Sequence, residues 1–183
     1  MKKLIILCLY AAAILFTGCA KQVQDGPNDA NKRVFEAWIS LNHKNATRTD
    51  LGVYVLPEGT KQGTGAEVTE DGFAFLEYTI TDLSGNITSY TGKETAKQLG
   101  KYDTTSYYGA KVQSTASGTI MAGLADVLLG MKVGGTKKFI IPNWLMSDQN
   151  YSTEADYLAV SSSYSSAIYD IRVVDFADNI NDW

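Results

Sequence analysis

The chain predicts an α+β fold: a mostly antiparallel β-sheet wrapped around one short helix, with an extra helix N-terminal to it. Three observations carry this expectation. Met121, Leu124, Ala125 and Leu128 recur at i, i+3, i+4 and i+7, and Val127 and Leu129 make the opposite side apolar too, so this short helix is enclosed rather than lying on a surface. Residues 51–55, 72–80, 87–90, 136–141 and 167–176 are rich in β-branched and aromatic side chains, with turn-forming residues between them. Ser84-Gly85-Asn86 is a hairpin turn, which pairs its two strands antiparallel, and Gly134-Gly135 makes a tight turn from the short helix into the strand at 136–141.

Taken from the N-terminus, Met1-Lys2-Lys3 is positively charged and residues 4–16 form an apolar run of thirteen, too short to span a bilayer but suited to a signal peptide. The run ends in Phe16-Thr17-Gly18-Cys19, which resembles a bacterial lipobox with Phe16 where leucine is usual. That resemblance implies cleavage after residue 18, lipidation of Cys19 and a lipid anchor in a membrane. Ala20, standing where aspartate retains many such proteins at an inner membrane, points to the outer one. Cleavage removes Cys8 and two lysines, leaving 165 residues, no disulfide, and a net charge of −6 in place of −4. An acidic chain without a basic stripe argues against nucleic acid as a partner.

Residues 19–50 read as the anchored tether and the first helix. Residues 21–28 are polar and contain Gly26 and Pro27, and 29–41 are helical with Val34, Ala37, Trp38 and Leu41 as the apolar face, capped by Asn28 or Asp29. Residues 42–50 are a polar connector. The main domain is expected over 51–178. A strand around Val53 and Val55 leads into a turn-rich loop at 57–65, then a hairpin of 72–80 and 87–90. An irregular stretch with the Tyr102, Tyr107 and Tyr108 cluster follows, then a short strand at 111–113. Gly130 stops the enclosed helix, 136–141 is a strand ended by Pro142, 143–166 is a long loop, and 167–176 is the last strand. No internal repeat and no second domain is visible.

Three separated blocks carry a family resemblance. Gly123-Leu124, Leu129-Gly130-Met131-Lys132-Val133-Gly134-Gly135 and Lys137-Lys138-Phe139-Ile140-Ile141-Pro142 together resemble the FKBP-type peptidyl-prolyl cis-trans isomerases. Ala167-Ile168-Tyr169-Asp170-Ile171 is similar to that family's last strand, and Glu77-Tyr78-Thr79 with Ser84-Gly85 to its Y-T strand and turn. The blocks span roughly residues 51 to 176 in the family's order. The resemblance implies an isomerase acting on proline-containing polypeptides, tethered to a membrane, with no cofactor and no metal.

The residues themselves are compatible with that chemistry. His43 is the single histidine and sits in a polar connector, and HExxH, CxxC and GxSxG are absent from the sequence. Rotation about an X-Pro bond needs no acid, base or metal. Its barrier of about 20 kcal/mol falls when an apolar pocket holds the twisted amide.

By resemblance, Tyr78 matches the family's pocket tyrosine and Tyr169 the pocket phenylalanine of the last strand. Ile120 and Met121 match the apolar pair before the helix, whose first backbone N–H contacts the bound carbonyl in the family. Leu124 stands where the family has the tryptophan floor, Thr88 and Ser89 where it has Phe-Asp, and Ser147 where it has a tyrosine. Trp144, Tyr151 and Tyr157 are candidates to fill the gaps. The departures leave two expectations: an isomerase of reduced activity, or a non-catalytic FKBP-like module that binds polypeptide or a partner protein.

Overall fold

The computed structural model describes residues 26–182. The signal segment, Cys19 and most of the tether lie outside them. Among the described residues no helix is long and apolar enough to cross a membrane.

The elements run α1 (Asp29–Asn42), β1 (Thr47–Arg48), β2 (Tyr54–Lys61), β3 (Phe73–Asp82), β4 (Ile87–Tyr90), α2 (Lys93–Gln98), β5 (Lys111–Ser114), α3 (Ala122–Leu128), β6 (Thr136–Ile141), α4 (Glu154–Leu158) and β7 (Ala167–Ala177). Among the described residues the strands form one seven-stranded sheet in the order β1-β2-β6-β7-β3-β4, with β5 beside β4 on the outer edge of β3. Every strand pairing is antiparallel, and the tight Ser84-Gly85-Asn86 turn dictates this for β3 and β4. This is the α+β architecture that the sequence predicts.

The longest ladder joins β3 to β7, and it decides which side chains share a face. Leu76, Tyr78 and Ile80 lie opposite Val173, Ile171 and Tyr169, and Phe139 of β6 lies opposite Tyr169. Because side chains alternate, all of these project from one side of the sheet, while Asp170 and Arg172 point to solvent from the other. Helix α3 packs on the apolar side. Leu124, Val127 and Leu128 are buried there, each side chain contributing about 1.5–3 kcal/mol.

The helix starts after Met121, which is extended, and stops at Gly130, whose φ of 80° is open to glycine at little cost. Two polar contacts pin it. The Thr49 hydroxyl donates to the Asp126 carboxylate, and the Lys137 ammonium donates to the Val127 carbonyl at 3.0 Å.

Several elements depart from expectation for identifiable reasons. Helix α1 buries Phe35 and Ile39 and half-buries Trp38, whereas Val34 and Leu41 are 72% and 76% exposed. Two overlapping 3–4 patterns compete on this helix, and the one with more aromatic area is seated. Phe35 meets Tyr54 and Trp144 edge-on at 5.7 and 5.5 Å. The Asn28 side chain does not cap α1; it donates to the Val160 carbonyl, while Asp29 accepts the Gly26 N–H.

The connector contributes the edge strand β1. The expected loop after Leu56 is instead a continuation of β2 to Lys61, with the pairing to β6 interrupted between those two residues. A bulge of this kind accommodates Pro57, which lacks a ladder donor.

The stretch expected to be irregular contains α2, held between extended Gly92 and Gly100 (φ 65°). The expected loop 143–166 holds a 3-10 turn (Asn143–Leu145) and α4. Glu154 ties that segment to the rest of the fold. Its carboxylate accepts from Lys32 of α1 at 2.7 Å, from Arg48 of β1 and from the Trp144 indole at 3.3 Å.

Candidate functional site

A cavity of about 240 Å³ lies between α3 and the sheet. Its wall comes from β3 (Leu76, Tyr78, Ile80), β7 (Tyr169, Ile171), α3 and its cap (Met121, Leu124), and β5 (Lys111, Val112, Gln113). The period-two pattern of β3 and β7 explains why alternate residues of each strand share this wall, and the i, i+3 spacing of Met121 and Leu124 explains the helical side.

The cavity therefore gathers four residues picked from the sequence, Tyr78, Met121, Leu124 and Tyr169. Ile120 is not among its lining residues; it is buried in the hydrophobic core.

Tyr169 is held firmly. Its ring stacks on Phe139 at 5.5 Å with the planes 8° apart. Burial pushes its hydroxyl up to about 12, with Tyr78 adding to the shift, so the phenol stays protonated through the neutral range. Tyr78 is fixed through its backbone instead: its N–H donates to the Thr91 hydroxyl at 2.9 Å, and its carbonyl accepts the Thr91 N–H at 3.0 Å.

The remaining site candidates lie elsewhere. Thr88 donates its hydroxyl to the Ile80 carbonyl, and Ser89 pairs with Ile80 across the hairpin. Ser147, Trp144, Tyr151 and Tyr157 line a separate cavity of about 90 Å³, so the aromatics of the 143–166 segment do not fill the gaps in the larger wall. Ala122, the first helical residue, gives its N–H to the Ser147 carbonyl at 2.9 Å.

Lys111, Val112 and Gln113 belong to the wall although the sequence reading treats them only as strand. No sequence signal marks them as wall residues, because they reach the cavity through pairing with β3 and pairing partners are not written in a single sequence.

Two broader depressions occur. One, of about 510 Å³, runs between α1, the β3–β4 turn and Tyr164. The other, of about 410 Å³, includes His43, Glu58 and Lys138. Both are larger than the cavity under α3, and the first gathers Val34, Phe35, Trp38, Leu83 and Tyr164 over α1 and the end of β3, but neither includes a residue of α3 or β7.

A short helix packed on a seven-stranded antiparallel sheet, with a cavity between them, is an FKBP-like α+β fold. No protein-family profile and no curated protein matches the chain. Solved structures do. FkpA from Escherichia coli aligns with a TM-score of 0.53 at 16% identity, covering 93% of this chain and 70% of that one. A peptidyl-prolyl cis-trans isomerase from Pseudomonas syringae pv. tomato aligns with a TM-score of 0.53 at 15% identity, covering 84% and 98%. At these identities the similarity establishes the fold.

Proposed function

We propose that this protein is an FKBP-type peptidyl-prolyl cis-trans isomerase, anchored to a membrane through lipidated Cys19, with activity below that of proteins carrying the full family site. The observation that carries the reading is the cavity under α3. At about 240 Å³ it is smaller than the ~300–1,000 Å³ of drug-sized pockets and suits a single side chain such as a prolyl ring.

Leu76, Ile80, Met121, Leu124 and Ile171 desolvate that ring. The Tyr169 hydroxyl, protonated at working pH, is a donor for the carbonyl of the twisted amide. Stabilising the twisted amide more than the planar one lowers the barrier, and each 1.4 kcal/mol is about a tenfold rate effect.

The test is proline-limited refolding of a substrate protein. Acceleration by wild type, lowered by Tyr78→Ala and kept or raised by Leu124→Trp, supports the reading, with stability measured alongside because added bulk costs about 1–3 kcal/mol. No acceleration at high protein concentration refutes it. Anchoring is tested separately: Cys19→Ala moves the protein out of the membrane fraction, and unchanged fractionation refutes lipidation.

A second reading is a module that binds polypeptide without isomerising it. Three observations favour it: Leu124 at the tryptophan position, the Ala122 N–H already bonded to Ser147, and Ser147 itself lying outside the cavity. Peptide binding without acceleration distinguishes it.

A further inference from the structure

We propose that the segment between β4 and β5 is a docking surface for acidic polypeptide flanking the proline in the cavity; this rests on the reading above and names its substrate class. The geometry begins at Tyr78. Thr91, at the end of β4, is buried and bonds both the N–H and the carbonyl of Tyr78. Gly109 then donates its N–H to the Thr91 carbonyl at 3.0 Å, and Lys111 pairs with Leu76 as β5 begins. Both ends of the segment are thus rooted on β3 at the cavity wall, and residues 92–108 project from its edge.

What projects is aromatic and basic. Tyr102 stacks on Tyr108 at 5.6 Å, and the Lys93 and Lys97 ammonium groups lie 5.3 and 5.7 Å from the Tyr102 ring centre. The Tyr108 hydroxyl accepts the Asp103 N–H at 2.9 Å, which holds the turn closed, and Tyr107 is exposed beside Gly109.

Residues 91–113 contain four lysines, Lys93, Lys97, Lys101 and Lys111, against Glu94 and Asp103, a net +2 in a chain of net −4. Both carboxylates are already engaged, Glu94 by Lys97 at 2.8 Å and Asp103 by Thr105 and Ser106. Lys101 and Lys111 form no ion pair among the described residues. Lys111 belongs to the cavity wall itself and Lys93 and Lys97 flank Tyr102, so positive groups occur both at the cavity and beside the tyrosines. A polypeptide with carboxylates beside its proline complements that charge, and exposed tyrosines present flat apolar area at small entropic cost.

The experiment measures binding of three proline peptides to the purified protein, identical except that glutamate, alanine or lysine flanks the proline. The glutamate peptide is expected to bind about three- to tenfold tighter than the alanine one, and the lysine peptide more weakly. At about 1 M salt, where the screening length falls to about 3 Å, the preference shrinks to within about twofold. Lys93→Glu/Lys101→Glu removes the glutamate preference and leaves alanine-peptide binding unchanged, because neither lysine lines the cavity.

Equal affinity for all three peptides overturns this proposal while leaving the isomerase reading intact. Binding of none overturns both. A glutamate peptide without proline that binds as tightly as the one with proline marks the lysines as a general anion surface and also overturns it.

Discussion

Gly123→Ala tests the fold at a tight contact between helix and sheet, because two ordinary effects oppose each other there. Within a helix, alanine is favoured over glycine by about 0.8–1.0 kcal/mol, so an exposed Gly123 would make this substitution stabilising. Here a Cβ would lie 2.4 Å from the Ile141 Cγ2, 3.1 Å from the Leu145 Cβ and 3.2 Å from the Leu145 carbonyl oxygen.

None of these is the loose end of a flexible chain. Ile141 is fully buried and β-branched, which leaves it one preferred rotamer, and the Leu145 atoms belong to or adjoin the backbone of the 3-10 turn. Relief requires α3 to move off β6 by roughly 1 Å, and overpacking of that kind costs about 1–3 kcal/mol, occasionally more.

The clash outweighs the propensity gain, and the expected outcome is a net loss of about 1–2 kcal/mol in urea denaturation with the m-value unchanged. The displacement also carries Met121 and Leu124, so peptide binding should weaken more than the stability loss alone accounts for. A neutral or stabilised Gly123→Ala would mean that α3 does not rest directly on β6, and the cavity geometry would fall with it.

Other perturbations probe separate parts of the molecule. Leu128→Ala empties a fully buried position and should cost about 2–5 kcal/mol; a loss under about 1 kcal/mol in the same melts would place the helix on the surface. Glu154→Ala should cost about 1–3 kcal/mol and speed amide exchange in α1, because it strands Lys32 and Arg48 and releases the Trp144 indole; unchanged exchange would refute the tie.

For Tyr169 the folded-state hydroxyl is raised from its ordinary 10.0 to about 12, so its contribution is complete below pH 10 and lost as pH rises towards 12. Two units correspond to about 2–3 kcal/mol of alkaline destabilisation that Tyr169→Phe should lack, and identical alkaline melts of the two proteins would refute the buried hydroxyl.

The parts of the fold legible in the sequence are those where a single period dominates. Strand β6 was bounded by Thr136 and Ile141 because β-prone residues end at Pro142, and β7 by resemblance to the family's last strand, with burial alternating from Ala167 to Val173 in the structure. Where two patterns overlap, area decides and the sequence does not display area: α1 seats Phe35 and Ile39 rather than Val34 and Leu41.

The site divides along the same line. Tyr78, Met121, Leu124 and Tyr169 were picked by the resemblance of the blocks that hold them, and the strand and helix periods bring them to one cavity wall. The contribution of β5 was not legible, since Lys111–Gln113 reaches the cavity only through cross-strand pairing with β3.

That difference bears on what the cavity does. A tyrosine at 169, where the resembling family has phenylalanine, adds a hydroxyl to a wall that lacks the family's aspartate. The stacking on Phe139 fixes the ring that carries it. On the proposed reading a fixed, neutral donor in a desolvated cavity is what a twisted amide carbonyl requires, so the hydroxyl at 169 supplies a donor to a wall that lacks the family's carboxylate acceptor at 88–89. Tyr169→Phe therefore separates the two proposed activities: it should lower the refolding rate more than it lowers peptide affinity if the hydroxyl acts on the twisted amide, and lower both equally if it only binds.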